Sequence, residues 1–104
     1  MNNYILDENG NPVIENDILK WGKWMETNNR HIAEDVVGDV RVSTVFLGID
    51  HSWGQGFPVL WETMIFGGEH DGYMDRYISK TYALKGHKKA MDLVVPKPHH
   101  RKII

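Results

Sequence analysis

Side chains able to move protons, hold metals or stack on rings crowd into the middle of this sequence. Asp50, His51, Trp53 and Gln55 come first, then Glu62 and Thr63, then Glu69, His70 and Asp71. Asp50-His51 has the chemistry of an acid–base or metal-ligand pair. Adjacent residues on a strand point to opposite faces, so the two converge only where the chain turns. The alternative is a hairpin loop in which Asp50 accepts from loop amides. Glu69-His70-Asp71 has the composition of a metal site without a ligand spacing such as HExxH, and after Gly67-Gly68 it reads as a solvated turn.

Glu62 is a carboxylate inside a strand pattern, with Leu60 and Met64 as its same-face neighbours by alternation. An unpaired charge there is costly, so Arg41, Arg76 or a ligand must neutralise it. A perturbed carboxylate in a pocket would instead mark a working site. Trp53 stands between Ser52 and Gly54 where no core explains it, and Trp61 opens the following strand. Aromatic rings beside glycine suit a planar ligand or an interface, and Tyr73, Arg76 and Tyr77 would extend that surface toward an anionic group. Otherwise Trp53 folds back over the sheet end as a lid. The expected ligand-contacting set is Asp50, His51, Trp53, Trp61, Glu62, Tyr73 and Arg76, with no catalytic residue, metal or cofactor assigned. His87 falls on the apolar face of a helix and reads as a satisfied core histidine, while His99-His100 reads as surface.

Those residues need elements to hold them. Tyr4 to Glu15 alternates apolar segments around Asn9-Gly10, a strong signal for a hairpin with a type I′ turn, and Pro12 makes the second arm start late or lie at a sheet edge. A helix is expected over 17–28, capped by Asn16 or Asp17, with Ile18, Trp21 and Met25 as its buried stripe and Gly22 at a close approach to a sheet. Strands follow over 30–37, 40–49, 58–66 and 73–78. The second of these is central, with both of its faces covered near Phe46 and Leu47, and the third is its antiparallel partner. If 40–49 and 58–66 form a hairpin, the loops at 50–57 and 67–72 lie at opposite ends, and one combined metal cluster is not expected. Ser79 caps a last helix over about 80–94 whose inner face is Ala83, Leu84, His87, Ala90, Met91 and Val94. The expected fold is α+β: one antiparallel sheet, the N-terminal hairpin plus three or four strands, packed with two amphipathic helices. Residues 1–95 form one domain and 96–104 a basic tail expected to fray.

Composition narrows function by exclusion. At 104 residues the chain suits a single core. A formal charge of −2 without a basic face argues against binding duplex nucleic acid. The absence of cysteine removes thiolate nucleophiles, zinc–thiolate sites and iron–sulfur clusters. No apolar run approaches the ~18 residues of a membrane span, so no membrane partner is expected, and the N-terminus lacks the regions of a signal peptide. The protein is expected in the cytoplasm.

The string VSTVFLGIDH, with ETMIFGG and the RY…A…GH ending, resembles a family of small proteins encoded by bacteriophages and prophages. The elements map onto residues 42–51, 62–68 and 76–87, and the likeness extends over about residues 4–94. Here the stretch before Gly86 reads SKTYALK, less acidic than the family's pattern. The resemblance brings no catalytic or binding residues; it implies a phage or mobile-element protein acting inside a bacterial cell. The leading expectation is a non-enzymatic accessory factor that binds a host protein or sequesters a small, nucleotide-like defence signal. The alternatives are a small hydrolase or isomerase using His51 with Asp50 or Glu62, and a structural module that forms a homodimer or higher homo-oligomer.

Overall fold

The computed structural model describes residues 2–96. Two helices and six strands follow the expected α+β order: β1 (Tyr4–Leu6), β2 (Pro12–Ile14), α1 (Ile18–Thr27), β3 (His31–Val37), β4 (Val40–Phe46), β5 (Trp61–Phe66), β6 (Met74–Tyr77) and α2 (Lys80–Val94). They build two antiparallel sheets rather than one: a β1-β2 ribbon and a four-stranded β3-β4-β5-β6 meander. The split originates at Gly48. The strand expected to reach Ile49 ends at Phe46, and Gly48 turns at φ +76°, open to glycine at little cost. From there the chain meets the N-terminal segment through an isolated Asn3–Ile49 bridge, the Tyr4 amide bonded to the Gly48 carbonyl at 2.8 Å and the Asp50 amide bonded to the Asn2 carbonyl at 3.2 Å. A Cβ on Gly48 would stand 2.6 Å from the Met25 sulfur, so the helix-to-backbone approach falls here. It does not fall at Gly22, where an added Cβ meets nothing within 4 Å.

The hairpin forms by a different turn from the expected type I′. Asp7 accepts from the amides of Asn9 and Asn11, both at 2.9 Å, and only Gly10 takes positive φ. The aspartate side chain replaces a turn carbonyl, and the loop lengthens accordingly. Helix α1 starts as expected, with Asp17 accepting from the amides of Leu19 and Lys20 at 3.1 and 3.3 Å. Its inner stripe is Trp21, Trp24 and Met25, all half-buried, and Ile18 is 61% exposed instead of buried. The helix rests on the end of the structure, where Trp24 meets Phe46 edge-on at 5.8 Å and the Trp21 indole donates to the Gly48 carbonyl at 3.0 Å. Its first turn overhangs.

Helix α2 lies across β4 and β5 and reaches both edge strands. Ser79 caps it through the Tyr82 amide at 3.1 Å. Its inner face is Ala83, Gly86, His87 and Ala90, so small side chains bring the axis close to the strands; Leu84, expected inside, is 44% exposed. Beneath it Val42, Thr44 and Phe46 of β4 lie beside Ile65, Thr63 and Trp61 of β5. The apolar members form two separate clusters, one around Tyr4, Phe46, Leu60, Trp61 and Ala83, the other around Val42, Ile65 and Ala90. Thr44, Thr63 and His87 form the polar belt between them. Among the described residues no helix is long and apolar enough to cross a membrane. The proposed tail over 96–104, apart from its first residue, lies outside the described residues, as does His99-His100.

The two helix glycines behave oppositely. A Cβ on Gly86 would collide with the hydroxyl and ring of Tyr77. Gly86→Ala should therefore lose about 1–3 kcal/mol to overpacking despite alanine's better helix propensity. Gly22→Ala, in open space, should gain up to about 1 kcal/mol. Urea unfolding of both variants checks the pair; equal effects would contradict the packing described.

Candidate functional site

Covering by α2, α1 and the ribbon is confined to one side of the four-stranded sheet. Alternation sends Glu34 and Val36 of β3, Arg41, Ser43 and Val45 of β4, Glu62, Met64 and Phe66 of β5, and Met74 and Arg76 of β6 to the other side. Val36, Phe66 and Met74 are exposed there. Arg30 and His31 border a shallow concavity of about 310 Å³ on this face, together with Arg41, Ser43 and Glu62.

Glu62 finds the neutralising partner expected for it. Its Oε2 accepts from Arg76 Nε at 2.9 Å, across the β5–β6 register pair, with Glu62 largely covered and Arg76 more open. Leu60, however, is not its neighbour: it lies just before β5, buried with Trp61 in the core. The Arg41 guanidinium lies 4.4 Å from the Phe66 ring centroid, which places a cation over an exposed aromatic.

The expected aromatic surface separates into exposed and buried parts. Trp61 is only 3% exposed and packs on Phe46 at 5.6 Å, so it is a core residue. Strand position decides this: Trp61 pairs with Phe46 and points with it toward α2. Tyr73 is half-buried and packs on the second apolar cluster, where burial, with Asp75 nearby, pushes its phenol above the ordinary tyrosine range. Trp53 stays outward at 77% exposure and does not fold back as a lid. It alone among the described non-glycine residues takes positive φ, +58°, a strained conformation for a bulky side chain. Phe57, which sequence reasoning passed over, shares the loop and is 73% exposed.

Asp50 builds this loop. Its Oδ1 accepts from the amides of Ser52 and Val59 at 2.8 and 3.0 Å, and its Oδ2 from the Ser52 hydroxyl at 2.9 Å. Partial burial pushes the carboxyl up, but the Val59 and Ser52 hydrogen bonds and nearby His51 outweigh it and hold Asp50 below the usual aspartate range. With both oxygens engaged, Asp50 is not hydrogen-bonded to the His51 ring, and Glu62 bonds Arg76 instead. Glu69, His70 and Asp71 form the turn at the other end of β5, where Asp71 accepts from the Gly67 amide at 2.7 Å. No cluster of potential metal ligands occurs among the described residues.

One constellation escaped the sequence. His87 Nε2 lies 2.7 Å from Asp35 Oδ2, His87 Nδ1 lies 2.7 Å from Thr44 Oγ1, and Thr44 Oγ1 lies 2.6 Å from Thr63 Oγ1. With the carboxylate as acceptor, His87 donates from Nε2, and its Nδ1 shares a hydrogen bond with the Thr44 hydroxyl, which shares another with Thr63. Tyr77 lies close to Thr63 at the far end; burial pushes its phenol above the usual range, Thr63 partly opposes this, and its hydroxyl makes no hydrogen bond of good geometry. The Asp–His–Thr order imitates a hydrolytic relay, but Thr44 is 0% exposed and no substrate carbonyl can reach it. This is a satisfied core histidine, as expected. Thr44 and Thr63 on inward positions between large apolar residues were its sequence signal; Asp35 carried none.

Searches of protein-family models, curated proteins and solved structures find no match for this chain.

The Asp50 geometry has a pH consequence. A carboxyl held below the ordinary value of 3.8 contributes stability that is fully present above that pH and lost as pH falls through the lower, folded-state value. Asp50→Asn should cost about 1–2 kcal/mol at neutral pH and show less loss than wild type between pH 5 and pH 2. Urea unfolding across that range measures both; parallel pH curves would contradict the assignment.

Proposed function

We propose that this chain is a non-enzymatic binding protein, an accessory factor of a bacteriophage or prophage working in the bacterial cytoplasm, and that it engages a host protein through the uncovered sheet face. The observation that carries this reading is the one-sided covering of the β3–β6 sheet, which leaves Val36, Phe66 and Met74 in solvent between Arg41, Arg76 and Glu34. Exposed apolar side chains rimmed by charge mark interaction surfaces. The resemblance to phage-encoded proteins supplies the cellular setting. A small ligand is the second reading, favoured by the concavity beside Arg30, His31 and Arg41, whose volume of about 310 Å³ reaches the lower end of small-molecule sites. A nucleotide-like anion would meet two guanidinium groups there.

Native mass spectrometry of the protein purified from bacterial cells tests the proposal. A bound host protein, or a small-molecule adduct, should be retained by wild type and lost in Phe66→Glu and Met74→Glu. Leu93→Glu, on the solvent side of α2, should retain it. A bare monomer would contradict the proposal, and so would an adduct that the face variants keep. A dimer abolished by the same substitutions would assign the face to self-association instead.

A further inference from the structure

On a different surface, between β6 and α2, runs a groove of about 360 Å³. One wall is the edge strand and its exit, Asp75 to Ile78; the other is Tyr82, Lys85 and Lys89 of α2, with Gly86 between them. We propose that this groove receives an extended acidic segment of a protein partner, which adds to β6 as a fifth strand. The proposal goes beyond the binding role assigned to the open sheet face and does not depend on it.

Among the described residues strand β6 is bonded only to β5. The Ile65 amide donates to the Tyr73 carbonyl at 3.0 Å, so by alternation Tyr73, Asp75 and Tyr77 turn their backbone groups toward β5 and Met74 and Arg76 turn theirs outward. The Arg76 amide is bonded only by the side chain of its own neighbour, with Asp75 Oδ1 at 2.9 Å. A carboxylate occupies the position that a carbonyl of an added strand would take, and it can be exchanged for one. Unpaired edge groups of this kind are where extended peptides bind.

The groove also selects the partner. Its lining is mainly apolar and aromatic, from Tyr77, Ile78 and Tyr82, while Lys85 and Lys89 bring positive charge. The Lys85 ammonium lies 5.9 Å from the Tyr82 ring centroid and so stays close to the groove wall. Among the described residues the one carboxylate in the lining, Asp75, is already held by the Arg76 amide. An extended segment presents alternate side chains to opposite sides. Apolar residues alternating with glutamate or aspartate therefore match the floor and the rim together. A free phosphate would meet the lysines but leave the strand edge unused. Pairing β6 with β6 of a second copy would bring two cationic grooves together. A second copy offering β3, which carries Glu34 and Asp35, would propagate into an open filament instead of closing.

The test uses a short fluorescein-labelled peptide alternating glutamate with valine. Controls are a lysine-for-glutamate version and a version with proline at the ladder positions. Binding is read by anisotropy and by amide NMR of the intact protein. The acidic peptide should bind saturably, with amide shifts concentrated at Met74, Arg76 and the exposed turns of α2. The double variant Lys85→Glu, Lys89→Glu, altered only at exposed helix positions, should weaken it about tenfold or more, and the proline peptide should be weakened as strongly. The proposal is overturned if the acidic peptide fails to bind or the lysine version binds equally well. It is also overturned if charge reversal has no effect, if the shifts fall on β3 and β4 and spare β6, or if the protein self-associates through β3 and the peptide merely competes with that.

Discussion

The buried contact between His87 and Thr44 organises the molecule. An imidazole taken out of water needs partners for both ring nitrogens, and a hydroxyl beside it needs one as well; an unmade bond of this type costs about 1–3 kcal/mol. Those partners come from three successive strands, Asp35 on β3, Thr44 on β4 and Thr63 on β5. Only one placement of α2 satisfies them together. Apolar burial alone would let the helix slide along the strands, because the clusters at its two ends are both aliphatic and aromatic without direction. The polar belt between them sets the register. The bonds form at 2.7 Å because Ala83, Gly86 and Ala90 keep the helix low over the sheet.

Putting α2, α1 and the ribbon on one side leaves the other side of the meander to water. The fold tolerates this because the open face is not simply apolar. Glu62 and Arg76 pair across neighbouring strands, and Arg41 lies over Phe66, so aliphatic stems and ring faces shield one another while charged groups stay wet. A surface built this way keeps its charged groups hydrated and still leaves apolar side chains in solvent. The aromatic loop at the end of the sheet follows the same division. Asp50 holds its backbone from within, and Trp53 and Phe57 are carried outside.

Much of the fold was legible because its signals are local. Asp17 and Ser79 cap the helices expected from their positions, since a cap involves only the next turn. Alternation in VRVSTVF identified the central strand, but the covering expected on both of its faces near Phe46 and Leu47 falls on one side only. Glu62 was read as a carboxylate in need of a partner, with Arg76 among the candidates, and Arg76 is that partner. What was missed depends on distance along the chain. Asp35 and His87 are 52 residues apart, and no spacing links them. Trp61 was taken for a surface ring because it begins a strand; only its register with Phe46 shows that it faces inward. Leu84 and Ile18 belong to the right apolar stripes but project past the margins of what the helices cover, and the sheet's width is not written in a helix's own sequence. Gly48 was passed over although it ends β4 and divides the sheet in two.

The account rests on the buried chain holding α2 in place, and native-state hydrogen exchange of wild type and Thr44→Val tests this most directly. The substitution keeps the shape of the side chain and removes the hydroxyl shared by His87 and Thr63. If the chain fixes the helix, amides of α2 lose protection well beyond those of β4 and β5, because the helix opens locally while the sheet remains paired. If α2 keeps its wild-type protection, or helix and sheet lose protection equally, apolar packing holds the helix and the central role given to His87 is wrong.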